Sequence, residues 1–133
     1  MEGSFCTAIH CMDGRFQLPV IVYLQRRFNV QHVDLITEPG PNLILAEQKD
    51  CGLVQSIFRR VEISVTKHHS CGIAIVGHED CVGNQRKREE QIEQLRLAAD
   101  LLKSRYPALT VVQLWVGLDG VVEELPAGDR TAP

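Results

Sequence analysis

Two short stretches of this sequence carry side chains suited to a single metal ion. One is Cys11-Met12-Asp13-Gly14-Arg15 and the other is Gly77-His78-Glu79-Asp80-Cys81. In extended chain, residues two apart point to the same side. If strand geometry persists past Ile9, then Cys11, Asp13 and Arg15 send a thiolate, a carboxylate and a guanidinium into one crevice, and Gly14 gives the backbone freedom to turn. His78 and Cys81 form a His-x-x-Cys pair, a spacing that lets both side chains reach one ion from a turn. Two sulfurs and one imidazole nitrogen make a three-ligand zinc set with one position left open, the mark of a catalytic rather than a structural site. Neither stretch carries this alone. An isolated Cys11 reads as a small buried hydrophobe, and an isolated Asp13/Arg15 pair reads as a surface ion pair. The weight comes from their convergence on one place.

What must bring them together is a series of alternating strands and helices. Phe5 to Ile9 is a short apolar run rich in strand formers, and a helix is expected from about Leu18 to Phe28 with Pro19 in its first turn. Val30 to Thr37 reads as a second strand, broken by Glu38-Pro39-Gly40-Pro41-Asn42. Val54, Ile57, Phe58, Val61 and Val65 follow helical spacing, and Gly72 to Val76 is a third strand ending at Gly77-His78. Asn84 is the expected cap of the next helix, with Ile92, Leu95, Ala99 and Leu102 as its inward stripe. Thr110 to Val116 is a fourth strand, and Asp119-Gly120 turns into a short antiparallel strand, Val121 to Leu125. The expected fold is therefore a three-layer α/β arrangement. It has a mainly parallel sheet of order 2-1-3-4, an antiparallel edge strand and helices on both faces. In such sheets ligands sit beyond the carboxyl ends of the strands where the winding reverses. That point lies between the first and third strands, where the two reactive stretches emerge.

The same two stretches resemble the motifs of a known family. Cys11-Met12-Asp13-Gly14-Arg15 is similar to the Cys-x-Asp-x-Arg motif of the β-class carbonic anhydrases, and Gly77 to Cys81 is similar to their Gly-His-x-x-Cys motif. Gln113 to Gly120 resembles the family's last strand pair, and the likeness runs from about Ser4 to Leu125. The resemblance implies that Cys11, His78 and Cys81 bind zinc and that Asp13 accepts a hydrogen bond from hydroxide on the metal. It also implies that Arg15 holds Asp13, that the reaction is hydration of carbon dioxide to bicarbonate, and that the chain forms a homodimer or a multiple of dimers. Two thiolates cancel the charge of zinc, so activity favoured at alkaline pH is expected. No counterpart of the family's helical N-terminal arm is expected before Ser4. Glu38-Pro39-Gly40-Pro41-Asn42 stands where the family has an Arg-Asn-Ala-Gly-like loop, and Val82 follows the last cysteine where it usually has Gly. Carbon disulfide hydrolases share the fold and metal site, and the altered loop keeps that substrate as an alternative. Another alternative is a non-catalytic zinc-binding interaction module in which Asp13 is a permanent fourth ligand.

Composition bounds the rest. With 133 residues the chain is expected to be one domain, 1–133, with a tail from 126 to 133. Hydrophobic residues at 44% and charged residues at 23% exclude a mainly disordered chain. Fourteen Lys plus Arg against 17 Asp plus Glu, a net charge of −3, give no basic field for nucleic acid or an anionic membrane. No apolar run is long enough for a membrane span. The N-terminus does not read as a secretory signal, and five cysteines fit thiols in a reducing, cytoplasmic compartment. Only three residues separate Cys11 from Arg15, too few for a phosphatase loop, and no Cys-x-x-Cys pair marks a dithiol oxidoreductase. Cys6 is expected in the core, His10 on the face opposite Cys11, His68-His69 at a helix C-terminus, and Trp115 in packing.

Overall fold

The computed structural model describes residues 3–127. Of the expected tail, all but Pro126 and Ala127 lies outside the described residues. The elements run β1 (Phe5–Cys11), α1 (Gln17–Arg27), β2 (His32–Glu38), α2 (Pro41–Glu47), α3 (Cys51–Lys67), β3 (Gly72–His78), α4 (Arg88–Arg105), β4 (Thr110–Val116) and β5 (Val122–Leu125). They form a five-stranded sheet of order β2-β1-β3-β4-β5. The first four strands are mutually parallel and β5 pairs antiparallel with β4. The expected architecture and strand order hold.

Strand alternation divides the core into two layers. Cys6, Ala8, Ala74, Val76, Leu114 and Val116 face α1, packing on Phe16, Val20 and Leu24. Ile9, Ile73 and Ile75 face the other helices, meeting Leu45, Ile57, Val61, Leu95 and Leu102. Every residue of β3 is buried, as expected of a central parallel strand covered on both faces. The stripe in α3 is buried at Ile57, Phe58 and Val61, and the Asp50 carboxylate caps that helix by accepting from the Leu53 N–H at 3.0 Å.

Several boundaries differ from expectation. β1 and β3 run on through Cys11 and His78, so the strands themselves carry these side chains. β2 starts at His32, because Asn29 takes a left-handed φ of 53° and the Val30 N–H bonds back to the Gln25 carbonyl, prolonging the exit from α1. Glu38 belongs to β2, which shrinks the break to Pro39-Gly40. Pro41 and Asn42 open the short helix α2, entered through Gly40 at φ 65°, a conformation that favours glycine. Asn84 is not a helix cap. Helix α4 begins four residues later behind Lys87, which makes no side-chain cap, and Asn84 is buried in side-chain contacts instead. His68 does close α3, but its Nδ1 bonds Asp34 Oδ2 at 2.7 Å. Among the described residues no helix is long and apolar enough to cross a membrane.

Candidate metal centre

The carboxyl ends of β1 and β3 bring Cys11, His78 and Cys81 together. One potential ligand atom from each lies within 4.8 Å of the others, and all three residues are buried. The two thiol sulfurs are 3.8 Å apart although the residues are 70 positions apart in sequence. The imidazole is oriented from both sides. His78 Nδ1 lies 2.8 Å from the Glu79 carbonyl oxygen. A carbonyl only accepts, so Nδ1 donates and Nε2 keeps its lone pair. That Nε2 is buried with no hydrogen-bond partner. The ring of Phe16 stacks on the imidazole at 4.2 Å and 24°. A buried ring nitrogen without a partner, on an imidazole clustered with two buried thiols, fits a cation bound at this point.

The thiols sit in opposing influences. Burial pushes Cys81 from 9.0 up to about 11, reinforced by Cys11 beside it. The nearby backbone N–H groups of Gly83 and Asn84 act the other way, favouring the thiolate. A positive ion between the two sulfurs would tip this balance to the thiolate, since a coordinating thiol is deprotonated outright.

Asp13 and Arg15 come together differently from the strand-alternation expectation. The strand ends at Cys11, and Asp13 folds back in a turn in which its Oδ1 accepts from the Arg15 backbone N–H at 3.0 Å. The Arg15 guanidinium then grips the same carboxylate, Nη2 donating to Oδ2 at 2.7 Å and Nε to Oδ1 at 3.1 Å. These donors hold Asp13 well below its ordinary 3.8, at about 2. Gly14 serves none of this by a left-handed conformation, because the positive-φ glycines among the described residues are Gly3, Gly40 and Gly120. Asp13 is not a member of the three-residue cluster.

Arg15 also ties the two stretches to each other. Its Nη1 donates to Asp80 Oδ2 at 3.3 Å and its Nη2 to the Asp80 carbonyl at 3.2 Å. Its guanidinium lies 5.0 Å from the Phe16 ring centre, continuing the stack that begins on His78. Neither Asp80 nor Phe16 was marked by the motif spacing, since their roles arise only when the stretches meet.

His10, on the α1 face beside the site, is buried, and its Nε2 has no partner. Burial, then His78, lowers its pKa from 6.5 to about 4, so it is neutral. Cys6 is fully buried, and desolvation pushes it to about 12. Cys51 and Cys71 are exposed. Trp115 is buried in the core, with the Arg88 guanidinium over its ring at 5.7 Å.

Beneath the site lies a buried amide network that sequence reasoning missed. Gln91 Nε2 donates to the carbonyls of His78, Asn84 and Arg86 at 3.1, 3.4 and 3.2 Å. Asn42 donates to the side-chain oxygens of Gln91 and Gln94, and Asn84 donates to Gln94. A signal was present: Gln91 lies four residues before Leu95 on the buried face of α4, where an apolar residue would otherwise stand.

Comparison with known proteins places this site in context. Residues 1–126 match the protein family described as "Putative carbonic anhydrase". An uncharacterized protein of Rickettsia conorii is 26% identical over 129 residues, covering 88% of this chain and 69% of that protein. An uncharacterized protein of Rickettsia bellii is 26% identical over the same length, covering 88% of this chain and 79% of that one. Among solved structures, the carbonic anhydrase of Streptococcus mutans superposes with a TM-score of 0.60 at 17% identity, covering 90% of this chain and 81% of that one. A tetrameric β-carbonic anhydrase of Sordaria macrospora superposes with a TM-score of 0.61 at 13% identity, covering 90% and 79%. At these identities the structural likeness establishes a shared fold.

Proposed function

The chain belongs to the carbonic anhydrase-like family that residues 1–126 match, and from that premise we propose that it is a zinc enzyme interconverting carbon dioxide and bicarbonate. Cys11, His78 and Cys81 are assigned as the metal ligands, and Asp13 and Arg15 as the catalytic pair. The observation that carries the reading is the 3.8 Å separation of the two buried sulfurs beside an unpartnered imidazole nitrogen. Two thiolates at tetrahedral angles on a zinc ion, each about 2.3 Å from it, stand about 3.8 Å apart.

Zinc, when bound, supplies a Lewis acid that activates water as the nucleophile for carbon dioxide. The chain's own residues do the rest. The Glu79 carbonyl fixes the His78 tautomer and leaves the Nε2 lone pair for the metal. The N–H groups of Gly83 and Asn84 support Cys81 as a thiolate. Asp13 is held ionised by Arg15 and is therefore an acceptor only. It selects a nucleophile that still carries a proton and sets the direction of its attacking lone pair. That Asp13 is engaged by Arg15 and stands outside the ligand cluster supports an open catalytic site over a closed structural one.

The test is metal analysis with carbon dioxide hydration measured by stopped flow from pH 7 to 9. We expect one zinc per chain, activity rising toward alkaline pH, and loss of activity with retained zinc in Asp13→Asn. Zinc bound without hydration at any pH overturns the enzymatic reading, and sulfide release from carbon disulfide in its place reassigns the substrate. The reading extends to a single-domain homodimer in the cytoplasm, for which light scattering at micromolar concentration measures the assembly.

A further inference from the structure

The loop between His78 and Arg86 carries one potential ligand at its start and another within it, yet it has little regular structure of its own. A β-bridge between Cys81 and Asn84, an N–H bond from Asn84 to the Cys81 carbonyl at 3.2 Å and the His78 Nδ1 bond to the Glu79 carbonyl tie it internally. What closes the loop comes from outside it. The Gln91 side-chain amide, buried in the first turn of α4, reaches the carbonyls of His78, Asn84 and Arg86. Three carbonyls can only accept, so the amide nitrogen faces them and the oxygen faces the Asn42 Nδ2, 3.3 Å away. Asn42 is itself fixed, its Nδ2 also donating to Gln94 Oε1 at 3.1 Å, and the same oxygen accepts from Asn84 at 2.6 Å. The orientation of Gln91 is thus set by the three carbonyls on one side and Asn42 on the other, and the loop is anchored at both ends through Gln91.

The neighbouring backbones are shaped around this arrangement. A β-carbon at Gly77 would meet Gln91 Oε1 at 3.1 Å and Asn42 Nδ2 at 3.2 Å, so the residue before His78 leaves room for the amides. A β-carbon at Gly40 would lie 2.8 Å from the Asn84 β-carbon and 3.0 Å from the Gly83 carbonyl oxygen. The segment after β2 therefore packs backbone to backbone on the Cys81 loop, and Asn42 continues that segment into α2.

We propose that Gln91 is the positioning residue for His78 and Cys81, with Asn42 holding its amide in register; this rests on the metal-ligand reading above. Gln91 touches neither ligand side chain, and it acts by fixing the carbonyls that bracket them. A hydrogen-bond partner of this kind typically changes metal affinity by about 10–100-fold when removed. Gln91→Glu keeps the size and the acceptor oxygen but loses the donors, whereas Gln91→Met loses both. Asn42→Ala leaves the Gln91 donors in place but removes the partner that holds its Oε1.

The experiment uses the full-length protein and cobalt(II), with affinity measured by chelator competition and the site read by thiolate-to-cobalt absorption and ligand-field bands. Wild type is expected to show both thiolate absorption and tetrahedral bands. Both Gln91 variants are expected to bind cobalt about 10–100-fold more weakly with shifted ligand-field bands, and Asn42→Ala a fewfold more weakly. Ser64→Ala removes a hydroxyl that bonds Thr7 and Asp34 and touches none of the Gln91 partners, so it controls for general loss of stability and is expected to keep wild-type affinity and bands. Wild-type absorption with unchanged affinity and bands in the Gln91 variants overturns the positioning role alone. Absence of thiolate absorption in wild type overturns the metal reading itself. If Gln91→Met does not fold, Gln91→Glu and Asn42→Ala decide the question on the same readouts.

Discussion

Gly83 and Gly14 sit in the two halves of the candidate centre, and the structure assigns them opposite tolerances. A β-carbon at Gly83 would lie 2.7 Å from both the carbonyl carbon and the Cβ of Pro39, and 2.8 Å from its carbonyl oxygen. Carbon atoms in contact settle at about 3.5–4.0 Å, so a gap of about 1 Å must open. The obstruction is backbone and a proline ring, not the tip of a flexible side chain, so the Pro39 segment and the Cys81 loop have to separate. Overpacking of this kind costs about 1–3 kcal/mol. For a domain of this size that lowers the melting temperature by roughly 3–15 °C. If half of the cost falls on the geometry that binds metal, affinity drops about two- to tenfold, since 1.4 kcal/mol is a factor of ten. A β-carbon at Gly14 meets nothing within 4 Å, and Gly14 has no positive φ. Gly14→Ala is therefore expected to leave stability unchanged or to raise it by up to about 1 kcal/mol, through a less flexible unfolded chain. Thermal unfolding followed by circular dichroism, together with cobalt(II) titration, measures both. Equal melting temperatures for wild type and Gly83→Ala, or a Gly14→Ala variant as damaged as Gly83→Ala, would refute the reasoning.

Other outcomes follow from the same structure. Cys6 and Cys81 are raised on folding from 9.0 to about 12 and about 11. A group shifted this way favours the folded state below its unfolded pKa and loses that contribution as pH rises to the folded one. Metal-free protein is thus expected to lose stability between pH 9 and 12 in urea titrations, with a shallower loss in Cys81→Ser. Because binding needs the thiolate, metal affinity is expected to rise with pH below 9, by up to about tenfold per pH unit from Cys81 alone, in chelator competition. Arg15→Leu removes the donors that hold Asp13 at about 2 and the tether to Asp80; hydration is expected to fall about 10–100-fold with metal retained, measured by stopped flow and metal analysis. At the opposite end of the strands, Ser64 Oγ bonds Thr7 and Asp34 at 2.7 Å each. Ser64→Ala is expected to cost about 0.5–1.5 kcal/mol in denaturant unfolding, the worth of an ordinary hydrogen bond, because Thr7 keeps Ser70 and Asp34 keeps His68 as partners, while metal affinity stays unchanged.

The order of strands and helices, the two motifs and their place at the winding reversal were legible in the amino-acid sequence. Strand and helix periodicity and motif spacing are local properties, and a parallel sheet with short crossovers admits few arrangements. Cys11, His78 and Cys81 could be named as candidates because His78 and Cys81 lie three residues apart at the end of one strand, Cys11 ends another, and the strand order sets those two strands side by side. Tertiary structure alone decided how these residues are held. Asp13 meets Arg15 through a turn and not through strand alternation, Asn84 is an anchor and not a cap, Phe16 joins the site from outside both motifs, and Asp80 joins it from a position the second motif leaves unspecified. Gln91 interrupts an apolar stripe in the sequence, but its three carbonyl partners lie 5, 7 and 13 residues away, at the end of β3 and on the irregular loop after it. Contacts of this kind depend on where packing places one segment against another, which no local pattern encodes.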